Sequence, residues 1–372
     1  MGLLKNLYLY LIVIFRTVSL FGEEVFSLEQ KVGQLLMISF EGERGADSIA
    51  NFLQKCPVGG VIYYNFLNGP LDLWSTKRLS DDIHSYPGIP RFIAVDQEGG
   101  RVQRCKRGFT PIPPACFLEK LGQDDLAALA HSIGYELNQA GISMNFAPVV
   151  DLTNSLSFVL EGRTISKDPF KVVKIAKTLI EGFKKNGVLG VIKHFPGHGA
   201  SFSDSHCQIP RITKSFHSLL REDLIPFEFL APHTEAIMIG HLLVTEFDSE
   251  HIVTLSKKWH DYLRIQLKFD GLIISDSLVM QAVLEETKDI AEACLSALRA
   301  GTDILLIGGR FLSSKDQTLS LAQISDIHER LCYEARNDPN LFKRVEESFQ
   351  RIIRAKKKWG IFKHSSLESE VS

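Results

Sequence analysis

Four apolar runs in this 372-residue chain end abruptly in side chains that can do chemistry. Residues 91–95 lead into Asp96, Gln97, Glu98, Gly99, Gly100 and Arg101. Val191 and Ile192 lead into Lys193 and His194, Ile239 and Gly240 into His241, and Ile273 and Ile274 into Ser275 and Asp276. The densest stretch is KHFPGHGASFSDSH, residues 193–206, where two glycines and a proline dictate a tight, non-helical loop. Asp204 and His206 are two positions apart, so both can point to one side of an extended segment. A carboxylate that holds an imidazole raises its basicity, which is the design of a general acid/base pair. His194, His198 and His206 with Asp204 also form a possible metal set. Their placement on a broken loop, off any single helical face, favours the acid/base reading. Asp276 ends an apolar run where an ionised carboxylate needs donors, and it suits attack on an acetal carbon. The bland alternative is a helix N-cap, a role that Ser277 could serve equally well.

These groups need a scaffold that brings them to one end. Eight short apolar runs recur, at residues 34–40, 59–66, 91–97, 142–150, 188–194, 236–244, 271–276 and 302–307. Their lack of alternation indicates strands buried on both faces, as in parallel sheets. Helical patterns separate them. Asp168 and Pro169 give an N-cap and a preset first turn, and Val172, Ile175, Ala176, Leu179, Ile180 and Phe183 share one face before Gly187. Gly141 and Gly301 act as terminators before the fourth and eighth strands, and a closing helix spans residues 341–359. Eight β-then-α units predict an α/β fold, a single-domain (β/α)₈ TIM-type barrel whose active groups lie at the C-terminal strand ends.

Composition narrows the function classes. Forty-two Lys and Arg against 44 Asp and Glu give a formal charge of −2, without the basic excess of a nucleic-acid binder. With 45% hydrophobic residues, disordered and fibrous classes are excluded. No Gly-x-Gly-x-x-Gly or Walker loop supports nucleotide binding. Lys356, Lys357 and Lys358 read as the solvated end of the last helix, and His131, His217, His233 and His260 as surface or helix-face histidines. Cys105 and Cys116 bracket a Pro-rich loop, as a disulfide if exported or as two free thiols. LYLYLIVIF, residues 7–15, follows Lys5 and reads as a signal peptide or apolar leader over residues 1–22, too short for a membrane span. This points to an exported, periplasmic protein, with a cytoplasmic one as the alternative.

The motifs resemble the bacterial β-N-acetylhexosaminidases of glycoside hydrolase family 3. The resemblance rests on VDQEGGRVQR (95–104), NFAPVVD (145–151), KHFPGHG (193–199) with the following DSH (204–206), and SDSLVM (275–280). It covers the body from about Leu28 to the closing helix, which sets domain limits of 28–360 and leaves residues 361–372 as a polar tail. It implies that Asp276 is the nucleophile, and that His206, oriented by Asp204, is the general acid/base. It implies too that Asp96, Arg104, Arg163, Lys193 and His194 bind a terminal N-acetylglucosamine, and that no cofactor or metal is required. Two positions depart from the family pattern: Ser277 stands where a second Asp is usual, and Ile165 where an aromatic residue usually follows Arg163 by two. His241 is expected as a wall residue.

The activity implied is that of a retaining exo-β-N-acetylglucosaminidase acting on peptidoglycan-derived muropeptides or chitooligosaccharides, as a monomer. The alternatives are a β-glucosidase-type relative, a metal-dependent barrel hydrolase using His194, His198 and His206, and a non-catalytic sugar-binding protein.

Overall fold

A computed structural model describes residues 26–45, 47–153, 160–200, 209–310 and 318–364. The expected leader and the proposed acid/base pair Asp204 and His206 lie outside the described residues.

The apolar runs form parallel strands buried on both faces. One six-stranded parallel sheet runs Leu305–Ile307, Leu36–Ile38, Gly60–Ile62, Phe92–Val95, Met144–Asn145, Leu189–Gly190. A three-stranded parallel sheet runs Leu272–Ser275, Ala236–Ile239, Ile192–Phe195. Isolated parallel bridges pair Val149 with Lys193 and Ile274 with Ile304, each joining a residue of the three-stranded sheet to one outside the strands of the six-stranded sheet. Every predicted run contains a strand, but the strands are shorter than the runs. Gln34 closes the helix Leu28–Gln34, Asn65–Asn68 is a helical turn, and the fifth run breaks at Val191. Polar residues do not all stop at the strand ends either: Gln97–Gly99 folds back on Val102–Gln103 as a small antiparallel pair.

Helices cover the outside. In Pro169–Lys185 the Asp168 carboxylate accepts from the N–H groups of Phe170 and Lys171, and the predicted apolar face is buried. The closing helix Pro339–Lys358 is capped in the same way by Asp338. At the N-terminal end of the strands, fully buried Asp303 accepts from Arg264 at 2.5 Å, from Arg344 at 2.6 Å and from the Ile273 N–H at 2.9 Å. That carboxylate ties the last helix to two strands at the end of the sheet away from Asp276.

One expectation needs correction. Lys356 is fully buried and donates to Gln34 Oε1 and to the Pro90 carbonyl, each at 2.6 Å. Its position places it on the buried stripe of Phe349, Ile352 and Ile353, whereas Lys357 and Lys358 are exposed as expected. As expected, His260 lies on a helix face, that of Lys257–Asp261, buried between the Ser256 carbonyl and Thr302 Oγ1, while His131, His217 and His233 are exposed. Ile361–His364 forms a short helical turn with Ile361 buried. Cys105 and Cys116 are free thiols, the first buried and the second exposed. Among the described residues no helix is long and apolar enough to cross a membrane.

Candidate active site

Asp276 follows the strand Leu272–Ser275 and extends its pairing by one residue, its N–H donating to the Ile239 carbonyl at 3.0 Å. The side chain turns into a cavity of about 570 Å³, within the size range of small-ligand sites. Asp96, Arg104, Arg163, Lys193 and His194 line the same cavity. The Ser277 N–H donates to Asp276 Oδ1 at 2.7 Å. Burial alone would push the Asp276 carboxyl up, but His194, His241, that N–H and Lys193 overrule it and hold its pKa at about 2. The nucleophile candidate is therefore ionised at neutral pH. His241, expected as a wall residue, is not among the residues that line the cavity; its ring bonds Thr254 Oγ1 at 2.7 Å and the Ser277 carbonyl at 2.9 Å, fixing the backbone beside Asp276.

The same cavity holds a chain of charges. Lys193 Nζ donates to Asp96 Oδ1 at 2.7 Å and to Glu98 Oε1 at 2.6 Å. Arg163 clasps Glu98 with Nε at 2.7 Å and Nη2 at 2.8 Å, the paired geometry that suits a guanidinium to a carboxylate. Burial opposes charge on Glu98, yet Lys193 and Arg163 keep it far below the usual carboxylate range. Lys193, likewise opposed by burial, is held above its ordinary value by Asp96 and Glu98. Arg104 Nη2 stands 3.8 Å from Asp96 Oδ2, with its guanidinium over the Tyr64 ring. Burial, then Asp96 and Asp276, push the Tyr64 phenol well up, so it stays protonated.

The third side is organised by Asp151, which is fully buried. Its Oδ1 accepts from the N–H of His194 at 3.1 Å and of His198 at 2.7 Å, and its Oδ2 lies 2.7 Å from His194 Nδ1. Burial raises its pKa, but His194 and His198 reverse the shift and hold it below the ordinary value. The peptide between Lys193 and His194 is cis.

An ionised carboxylate at a strand end, facing fixed donors and acceptors in a small-ligand cavity, fits chemistry on a polyhydroxylated substrate. Comparison with known proteins agrees. Residues 27–354 match the Glycosyl hydrolase family 3 N terminal domain. The chain belongs to that family. It is accordingly a glycoside hydrolase. It is 36% identical over 287 residues to a β-hexosaminidase of Bordetella avium, covering 74% of this chain and 80% of that one. A glycoside hydrolase family 3 β-N-acetylglucosaminidase from a Paenibacillus species superposes with a TM-score of 0.81 at 28% identity. That match covers 91% of this chain and 63% of the longer Paenibacillus chain. A β-N-acetylhexosaminidase from Beutenbergia cavernae gives 0.77 at 25% identity, covering 90% of this chain and all of the other.

Within this family member, the structure brings six of the eight candidate residues together, and Asp204 and His206 lie outside the described residues. Among the described residues no group of three or more His, Cys, Asp or Glu is arranged to hold a metal. His194, part of the alternative metal set, commits Nδ1 to Asp151. Sequence reasoning missed two organisers. Asp151 ends the run 142–150 just as Asp276 ends its own, so the same signal was available. Glu98 stands two residues after Asp96, and the signal for it was only its place in a stretch too polar to be left unpaired.

Proposed function

We propose that this cavity removes terminal N-acetylglucosamine from β-linked oligosaccharides with retention of configuration, the natural substrates being peptidoglycan-derived muropeptides. The observation that carries it is Asp276, ionised and half-buried, lining the cavity that Lys193, Asp96 and Arg104 share. The β-hexosaminidase and β-N-acetylglucosaminidase names of the relatives support the substrate class. In the first step an Asp276 oxygen bonds to the anomeric carbon as the glycosidic C–O bond breaks, and His206 gives its proton to the leaving oxygen. In the second, water attacks the same carbon, returns a proton to His206 and releases Asp276. Asp204 holds the His206 ring in its working orientation. Asp96, Arg104, Lys193 and His194 hydrogen-bond the sugar, with Arg163 acting on it through Glu98. The two parallel sheets then form a closed eight-stranded barrel, a reading that the bridges Val149–Lys193 and Ile274–Ile304 support.

A chromogenic N-acetylglucosaminide assayed beside the matching glucoside tests the activity. Turnover of the first far above the second is expected, because buried donors and acceptors left unpaired by the wrong sugar penalise it. Equal turnover of both would favour the β-glucosidase reading, and no turnover of either would favour a binding protein.

A further inference from the structure

We propose that His198 binds substrate, its ring hydrogen-bonding a hydroxyl of the terminal sugar; this rests on the reading of the cavity given above. His198 belongs to the PGHG part of the loop, and the catalytic scheme leaves it without work. Its position is tightly set. The main-chain N–H donates to Asp151 Oδ1 at 2.7 Å, and the Gly197 N–H donates to the His194 carbonyl at 2.8 Å. On the other side, a Cβ added at Gly199 would lie 2.2 Å from the Leu152 carbonyl oxygen, so the loop is seated directly on that backbone.

The side chain is the anomaly. It is 3% exposed, it lines the cavity of Asp276 and Lys193, and among the described residues neither ring nitrogen has a hydrogen-bond partner. Buried polar groups are paired in the great majority of cases, so an exception at a ligand cavity points to the ligand. The described neighbours offer no substitute. Asp151 has already committed both oxygens to residues 194 and 198, and the His194 ring meets His198 edge-on at 6.1 Å between centroids. Among the described residues Arg104 Nε is likewise unpartnered at this cavity, whereas Trp259 and Trp359, whose indole N–H groups are also unpartnered, do not line it.

Charge state selects the ligand group. Burial lowers the His198 pKa and outweighs the opposing pull of Asp151, so the ring is neutral at physiological pH. A neutral imidazole carries one N–H and one lone pair. A hydroxyl both donates and accepts, so it can satisfy either nitrogen. An ammonium or a carboxylate can use only one of the two.

The test is a cycle of protein and substrate changes. His198→Phe keeps a ring and removes both nitrogens, with His198→Leu as the second variant should Phe not fold; thermal melts establish which is folded. Each is assayed on an aryl β-N-acetylglucosaminide and on its 3-, 4- and 6-deoxy analogues. The expected result is a loss of about tenfold or more in kcat/KM on the parent glycoside, shrinking to under about twofold on one deoxy analogue, with His198→Gln recovering part of the loss. Equal losses on the parent and all three analogues would show a purely structural residue and overturn the proposal. If the unaltered enzyme failed to cleave the N-acetylglucosaminide at all, the reading of the site would fall first, and this inference with it.

Discussion

Asp151 holds His194 at two points, accepting its backbone N–H at 3.1 Å on one oxygen and standing 2.7 Å from ring Nδ1 with the other. One carboxylate therefore sets both the path of the chain and the orientation of the imidazole, leaving the second ring nitrogen as the one available to the cavity. The arrangement is a buried counterpart of the Asp204 and His206 pair expected from the sequence.

Asp151→Asn replaces a charged acceptor with an amide that can accept on one atom only. Hydrogen bonds to charged groups contribute about 1.5–3 kcal/mol each. The variant should lose about 10–100-fold in kcat/KM, and its melting temperature should fall. Steady-state kinetics and a thermal melt check both. An unchanged kcat/KM would mean that His194 keeps its place without Asp151.

Asp276→Asn should fold and lose at least about 10³-fold in turnover, since an amide is a poor nucleophile. A slow fluorosugar with an activated leaving group should label Asp276 in the parent. The pKa of about 2 lies below the unfolded value of ~3.9, so ionised Asp276 contributes stability that is complete above the unfolded value. That contribution is lost as pH falls through the folded value. Over the window from ~pH 4 upward the nucleophile stays ionised, and any acidic limb of the rate profile there belongs to another group. A labelling rate that collapsed between pH 6 and pH 4, with roughly neutral pH as reference, would contradict this.

Much of this site was legible because each key side chain interrupts an apolar run. Asp96, Lys193, His194 and Asp276 all announce themselves that way, and all reach one cavity. Glu98 does not, since its role comes from meeting Lys193 and Arg163, which are far away in the chain. Lys356 shows the opposite failure. Three consecutive lysines look solvated when read as a charge run, while the helical spacing from Phe349 and Ile352 puts the first of them inward. Its acceptors, Gln34 and Pro90, come from distant parts of the chain that no local pattern connects.

Glu98→Ala should destabilise the protein by about 3–5 kcal/mol, because it removes the buried carboxylate that Lys193 and Arg163 share and leaves Lys193 with Asp96 alone. Chemical denaturation measures this. Glu98→Gln should cost less in stability but still impair turnover, as Lys193 shifts toward Asp96. A Glu98→Ala protein as stable as the parent would mean the two cations find other partners.

Lys356→Met should change how stability depends on pH. Burial, with Arg91 adding to it, lowers the Lys356 pKa well below its ordinary value. The unfolded chain therefore binds the proton more readily than the folded one between the two values. Stability from this residue rises with pH across that window, up to the unfolded value of ~10.4. Parent minus variant stability should accordingly increase as pH is raised from about 7 to 9. Denaturant titrations at both values decide it, and a pH-independent difference would show that Lys356 stays charged in the fold.

His206→Ala tests the proton donor. General acid/base catalysis contributes about 10²–10⁴-fold, so the variant should lose that much on a glycoside whose leaving group needs a proton. On a dinitrophenyl glycoside, whose leaving group departs as a stable anion, formation of the glycosyl-enzyme should be nearly unimpaired. The second step still needs a base to activate water, so the intermediate should accumulate and appear as a burst of the phenol followed by slow turnover. Added azide, which attacks without giving up a proton, should relieve that slow step and yield a glycosyl azide of retained configuration. Asp204→Ala should show the same pattern more mildly, since the ring remains but loses its orienting carboxylate. Equal losses on both substrates, with no burst and no azide rescue, would place the proton donor on a different residue and leave His206 a binding role only.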